Sequence, residues 1–213
     1  KHKGRNKKIE DLPFLPTRIF KNLNLKTIKD KSIFKILESS GTGGNISKIF
    51  LDKTNANTQI KILSKIFKDF FSINTRMPMI IFDKKKTKNQ NFKHTAREAA
   101  YTGFSFMGKE HLFLLDDNED LKINELKEFL KKFKNKKIFL FGLTSVIWKL
   151  LNKSGNIKFN LVNSILIHGG GWKKINDQNA TKKNFKYLIK RKLNLSNIHD
   201  YYGMVEQTGS IFF

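Results

Sequence analysis

The apolar positions along the chain fall into two periods. Short β-branched and aromatic runs predict strands over residues 33–37, 48–51, 79–82, 112–115, 138–141 and 164–168. Between several of them the spacing turns helical. Ile60, Leu63, Phe67, Phe70 and Phe71 share one helix face, as do Leu126, Phe129, Leu130 and Phe133. Leu143, Ile147, Leu150 and Leu151 form a third such face, and Phe185, Leu188, Ile189 and Leu193 a fourth. Strands alternating with helices argue an α/β fold built around a mostly parallel sheet. LPFLPTRIF, residues 12–20, reads as a proline-bent apolar lead-in, KKKTKNQN, residues 84–91, as an exposed loop, and the final IFF as a strand. No repeat period is visible.

With 213 residues, 39% of them hydrophobic and 20 of them Phe, the chain is long enough to bury one sizeable core. One domain over residues 11–213 is expected, behind a basic, frayed tail over residues 1–10. No apolar run approaches the roughly 18 residues a spanning helix needs, and KHKGRNKKIE has no apolar signal core. A cytoplasmic protein without a membrane span is the expectation. The chain opens on Lys rather than Met and stops within a strand-like run, so a fragment truncated at its C-terminal end is expected. The absence of cysteine rules out a disulfide, a thiolate metal site and a Cys nucleophile within these residues.

The net charge of +24 raises the question of a polyanion partner. Arg5, Arg18, Arg76, Arg97 and Arg191 are the only arginines, and the remaining basic residues are Lys scattered among Asn and Ile. That skew reads as the bias of an AT-rich genome, because nucleic-acid surfaces favour the Arg fork. No nucleic-acid partner is expected, although charge can attract an anionic substrate. A non-catalytic basic module for nucleic acid or membrane surfaces stays open as the competing class.

Three stretches carry candidate chemistry. SSGTGGNISK supplies Ser39, Ser40, Gly41, Thr42, Gly43, Gly44, Ser47 and Lys48, the backbone donors, hydroxyls and cation that a phosphate needs. It is not a Walker A loop: Ile46 occupies the place of the second Gly, and KIFLD behind it reads as a strand rather than a helix. A plain glycine-rich hairpin is the competing reading. ILIHGGGW, residues 165–172, is a buried-strand pattern ending in Gly169, Gly170 and Gly171, where a flat ligand can lie against bare backbone; a tight turn plugged by Trp172 is the alternative. HDYYGMVEQTGSIFF, residues 199–213, offers Tyr201 and Tyr202 for stacking, Gly203 for close approach and Glu206 as a carboxylate for Mg²⁺; a strand and turn with a solvated Glu is the alternative.

In that order the three stretches resemble the acyl-adenylate-forming ligase superfamily, with its Ser/Thr/Gly-rich loop ending in Lys and its later YGxTE. LPFLPTRIFK, SSGTGGNISKIFLD, PMIIFD, FGLTSVIW, LIHGGGWKK and YYGMVEQTGSIF resemble more closely the acyl-protein synthetases of the LuxE type, the fatty-acid ligases of bacterial bioluminescence operons. The resemblance covers nearly the whole chain. Phenylacetate-CoA ligases share the general plan and supply an alternative, an acyl-CoA ligase.

The resemblance implies the large N-terminal domain of an adenylate-forming enzyme, with layered mixed and parallel sheets, and with the small C-terminal domain absent. It implies a ligase that uses ATP and Mg²⁺ to turn a carboxylic acid, a fatty acid in this family, into an acyl-adenylate. Acyl transfer to a protein cysteine and delivery to an acyl reductase partner would come next. By motif, Ser39, Ser40, Gly41, Thr42, Gly43, Gly44 and Lys48 would hold the β- and γ-phosphates. Gly169, Gly170 and Gly171 would line adenine, Tyr202 would stack near the ring with Gly203 giving close approach, and Glu206 would bind Mg²⁺; Lys48 and Glu206 are the catalytic candidates. The superfamily's Thr, which meets the α-phosphate, is Val205 here, with Thr208 or Gln207 as substitutes. Taken alone, the chain is expected to turn over little.

Other polar residues draw plainer expectations. His168 is a candidate to orient the acyl carboxylate, or a buried His bonded to backbone. Arg97 is a candidate anion contact or a helix-surface ion pair. Asp116, Asp117, Glu119 and Asp120 read as a solvated acidic loop. Phe141, Gly142, Leu143 and Thr144 are candidates for an acyl pocket.

Overall fold

The computed structural model describes residues 8, 10, 13–39, 44–85, 93–172, 175, 177–208 and 210–213, with the side chains of 93–99 outside that description. Most of the described chain is organised on a six-stranded sheet. Its strands are β3 (Met77–Lys84), β5 (Gly108–Leu115), β6 (Phe139–Leu143), β7 (Ile165–Gly169), β8 (Ile198–Gly203) and β9 (Ile211–Phe212). They lie in the order β5-β3-β6-β7-β8-β9. All neighbours are parallel except β8 and β9.

Side chains alternate across the pleat and so feed two separate cores. Ile80, Phe82, Leu140 and Leu166 pack with Leu126 of α4 (Ile123–Lys132), Ile147 and Leu150 of α5 (Thr144–Lys153) and Phe185 and Ile189 of α6 (Lys182–Leu193). Met79, Ile81, Phe139, Phe141 and Ile167 pack on the other face with Leu63 and Phe67 of α2 (Lys53–Phe71) and Phe104 of α3 (Ala96–Ser105). Helices on both faces are why β3, β6 and β7 read as continuous apolar runs rather than alternating ones. Phe139, fully buried, meets Phe67 edge-on at 5.2 Å. Such a pair adds roughly 0.5–1.5 kcal/mol beyond its buried area.

The strand order fixes where a ligand fits. β3 is flanked by β5 and β6, so the chain crosses over β3 after β5 and then adds β7 and β8 outward. Strand addition reverses beside β3, and the crevice at the carboxyl ends next to such a reversal is the usual ligand position in open α/β sheets.

A second, smaller sheet holds β1 (Lys35–Glu38), β2 (Lys48–Leu51) and β4 (Lys93–Thr95) in the order β2-β1-β4. β1 is antiparallel to β2 and parallel to β4. Its core is Leu37, Ile49, Leu51 and Ala56, with Phe20 and Val205 packed against it.

The six expected strands and four expected helices are all present, the strand over residues 48–51 with the expected ends and the others with shifted ones. α2 begins well before its apolar face, because Asp52 caps it by accepting the Asn55 N–H at 2.7 Å. The lead-in over residues 12–20 ends in a short helix, α1 (Ile19–Asn22), which starts shortly after Pro16; Leu12 lies outside the described residues. Lys84 closes β3 rather than opening a loop, and residues 86–91 lie outside the described residues. Of the expected tail over residues 1–10, only Lys8 and Glu10 are described.

Candidate functional site

The carboxyl edge of the large sheet is built from three strand ends in register. Gly142 of β6 pairs with His168 of β7, Leu143 with Gly169, and Gly169 with Tyr201 of β8. Gly142 must stay bare, since a Cβ there would lie 2.7 Å from the Phe82 Cβ. At Gly169 the reason is Tyr201: an added Cβ would come within 2.3 Å of its ring. Gly170 has φ +88°, in the region that favours glycine. Trp172 is half-buried and packs edge-on against Phe185 at 5.6 Å, so the plug expected there is present.

His168 is buried at this edge, 4% exposed, with its ring 4.6 Å from that of Phe185. Its Nδ1 lies 2.9 Å from the Thr144 hydroxyl, and that hydroxyl donates to the Gly169 carbonyl at 3.1 Å. The partner expected for a buried His168 was backbone; it is a side chain that itself holds the backbone. Burial lowers the His168 pKa from 6.5 to about 4, with the Asp200 carboxylate, 3.9 Å from Nδ1, opposing the shift. Asp200 also pairs with Lys182 at 3.3 Å. Tyr201 is pushed up to about 12, by burial first and then by Asp200, so its hydroxyl stays protonated.

Successive residues of β8 face opposite sides. Tyr201 turns inward, 5.1 Å from the Phe104 ring, while Tyr202 is 59% exposed and Gly203 beside it is exposed too. Beyond Gly203 the chain turns, with the Gln207 N–H on the Met204 carbonyl at 3.1 Å. Val205, at the position of the superfamily's Thr, packs against the core of the small sheet. Glu206 is half-exposed on this turn and Thr208 is exposed.

The small sheet carries the first motif at the tip of its β1–β2 hairpin. The Ser39 N–H donates to the Ser47 carbonyl at 3.1 Å, and the Ser47 N–H donates to the Ser39 hydroxyl at 2.9 Å, closing the neck of the loop. Gly44 has φ +106° and open space where a side chain would be. Lys48 opens β2 opposite Glu38. The loop therefore runs into a strand, as expected, at the point where a Walker A loop would open a helix. Ser40, Gly41, Thr42 and Gly43 lie outside the described residues.

The structure thus brings Gly169, Gly170, Tyr202 and Gly203 together at adjoining strand ends, and Val205 ties the turn beyond them to the hairpin sheet. Gly171 continues past β7 as exposed chain. The acidic loop is tied up internally: the Asp116 carboxylate accepts the N–H groups of Asn118 at 2.9 Å and Asp120 at 2.8 Å. Phe141 and Gly142 are buried in the core, and the side chain of Arg97 lies outside the described residues. The sequence reading offered Tyr201 for stacking and Thr144 for an acyl pocket, but not the contacts they make: the bond of Thr144 to Gly169 and the ring of Tyr201 against that glycine. Only strand register joins them to the glycines; the period-2 alternation of HDYY carried the one available hint, that Tyr201 and Tyr202 face opposite ways.

Comparison with known proteins bears on the fold and the family. The fold is shared with 2-hydroxyisobutyryl-CoA ligase, solved in an open conformation in complex with 2-HIB-AMP and CoA, at a TM-score of 0.54 and 12% identity over 90% of this chain and 42% of that one. ATP-bound MatB from Rhodopseudomonas palustris aligns at a TM-score of 0.48 and 16% identity, over 81% of this chain and 29% of that one. What is shared with the 2-hydroxyisobutyryl-CoA ligase is the α/β architecture, a mixed parallel and antiparallel sheet with helices. The long-chain-fatty-acid–luciferin-component ligase of Aliivibrio fischeri is 26% identical over 96% of this chain, which spans about half (55%) of that protein's length. A sequence model of the acyl-protein synthetases, LuxE, matches residues 4–211, and the chain belongs to that family.

Proposed function

We propose that this chain binds ATP at the carboxyl edge of its large sheet and uses it to activate a carboxylic acid, a long-chain fatty acid first of all, as an acyl-adenylate. The observation that carries this reading is the short stretch from Tyr201 to Val205. One end lies against Gly169 and the other, half-buried Val205, packs against the core of the hairpin sheet, which supports a single edge shared by the three motifs. The glycine hairpin, Ser39 to Gly44 with Lys48, takes the β- and γ-phosphates through N–H groups, hydroxyls and one cation. Gly169, Gly170 and Gly171 line the adenine, and the exposed Tyr202 stacks on it.

A carboxylate oxygen then attacks the α-phosphorus in line. The bond to the bridging oxygen breaks and pyrophosphate leaves with the electron pair, so the protein's work is positioning and charge neutralisation. With Val205 half-buried in an apolar contact, Thr208 and Gln207 are the polar groups of this turn left for the α-phosphate. Glu206 would hold Mg²⁺. A single carboxylate suits that ion, which fills its shell with water and phosphate oxygens and neutralises phosphate charge. The next acyl acceptor, if a thiol, comes from outside these residues, which contain no cysteine. An acyl reductase would be the partner downstream of it.

The test is calorimetric titration of the chain with ATP and Mg²⁺, followed in the full-length protein by fatty-acid-dependent exchange of label between pyrophosphate and ATP. Lys48→Ala and Glu206→Ala are each expected to weaken ATP binding by about tenfold or more, the size of a lost charge-assisted contact, and to abolish exchange. Binding of ATP by both variants at wild-type affinity would overturn the reading.

A further inference from the structure

We propose that the amino edge of the large sheet, opposite the glycine turn, docks on the surface of an anionic lipid bilayer. The proposal goes beyond the ATP reading and does not depend on it. Three hydrogen bonds tie the segments ahead of β6, β7 and β8 together. The Ile165 N–H donates to the Ile138 carbonyl at 3.0 Å, the Leu166 N–H to the Asn197 carbonyl at 3.0 Å and the Ile138 N–H to the Ser164 hydroxyl at 3.3 Å. The Phe159 N–H on the Lys192 carbonyl and the Leu161 N–H on the Leu193 carbonyl, at 2.8 and 2.9 Å, bring the last turn of α6 to the same edge. Lys134, Lys136, Lys137, Lys158, Lys190 and Arg191 are exposed there. None of the six belongs to an ion pair among the described residues. Residues 129–176 and 178–199 contain no Asp or Glu at all.

The acids of the sheet gather at its other end. The acidic loop over residues 116–120 follows β5, Asp83 lies at the carboxyl end of β3, and Glu206 follows β8. Toward the amino side, Glu110 and Asp69 are each paired at 2.7 Å, with Lys132 and Lys65. A compositional bias toward Lys scatters cations over the whole surface, but it does not clear the acids from one edge. Val162, 56% exposed, lies among these cations, and the Arg191 guanidinium stands 5.7 Å from the ring of the exposed Tyr187. Cations around isolated apolar and amphipathic side chains suit a plane of phosphate headgroups, where each Lys or Arg near the surface adds about fivefold in affinity. Nucleic acid is the competing polyanion, but five of the six cations are Lys, and phosphate and base recognition favour the Arg fork. The proposed contact is peripheral and leaves the carboxyl edge facing water.

The experiment separates this edge from net charge. The full-length protein is sedimented with phosphatidylglycerol or phosphatidylcholine vesicles at about 0.1 M salt, where screening acts over about 10 Å. Wild type is expected to bind the anionic vesicles and not the neutral ones. Lys134→Glu, Lys136→Glu and Lys137→Glu combined are expected to weaken that binding about a hundredfold or more, from about fivefold per Lys. Lys29→Glu, Lys53→Glu and Lys61→Glu combined change the net charge equally on exposed residues elsewhere, and are expected to stay within about threefold. ATP affinity of the first variant is expected to match wild type, so the two readings fail separately. Amide exchange of the wild-type protein needs no variant: vesicles are expected to slow residues 134–137 and 156–163 and to leave residues 116–120 unchanged. Equal losses in the two variants, protection confined to other segments, or no binding of anionic vesicles overturns the proposal. Tighter capture of duplex DNA than of vesicles, lost in the first variant, assigns the edge to nucleic acid and overturns it as well.

Discussion

The two sheets differ in how much core each has to itself. The large one is sandwiched between α4, α5 and α6 on one face and α2 and α3 on the other, with strands β3, β6 and β7 buried on both sides. The small one closes over Leu37, Ile49, Leu51 and Ala56, and borrows Phe20 and Val205 to do so. Phe14, Leu23 and Phe34 in the chain leading into it stay exposed. Stability scales with buried apolar surface, so the two should open at different free energies. The glycine turn of β7 belongs to the stiff unit and the glycine hairpin to the weak one.

The largest effect tests the stiff unit. Phe139 sits at the centre of the second core, touching Phe67 at 5.2 Å and Phe104 at 6.3 Å. Phe139→Ala is expected to cost about 3–5 kcal/mol in urea unfolding, the usual range for emptying a buried aromatic site. A loss under about 1 kcal/mol would mean that the large sheet does not govern global stability.

How far each unit was legible depends on the same contrast. Residues 79–82, 138–141 and 164–168 announced themselves because strands buried on both faces are apolar throughout. The first half of β5, GKEH, did not, since an edge strand with exposed Lys109, Glu110 and His111 looks like a loop. α3 was hinted at only by the helix-surface reading of Arg97, because Ala100, Tyr101 and Phe104 stand among Thr, Gly and Ser, and the stretch of α2 before Ile60 was not seen because only the Asp52 cap marks it. The glycines, Tyr202 and Glu206 could be read as chemistry from residue type and order alone. Thr144 could not: its bond to Gly169 crosses from one strand end to the next, and nothing in the linear spacing sets β6 beside β7.

A middle-sized effect separates the edge of the large sheet from its interior. His168 is neutral when folded, with its pKa lowered from 6.5 to about 4 by burial. The unfolded chain therefore binds the extra proton first. This contribution to stability is present above pH 6.5 and is lost as pH falls toward 4. Between pH 7 and pH 5 the loss amounts to about 2 kcal/mol by linkage. The urea midpoint is expected to fall over that interval, and His168→Gln to flatten the fall relative to wild type. Parallel pH profiles for the two proteins would show that the ring is not held neutral by the fold.

The smallest effect is aimed at the weak unit. Ser39→Ala removes the hydroxyl that accepts the Ser47 N–H at the hairpin neck, a bond worth about 1 kcal/mol. Because the small sheet opens below the global free energy, the loss should appear locally. Amide exchange over β1 and β2 is expected to speed up by about fivefold while β6 and β7 keep their rates. If β6 and β7 accelerated equally, the two sheets would form one cooperative unit.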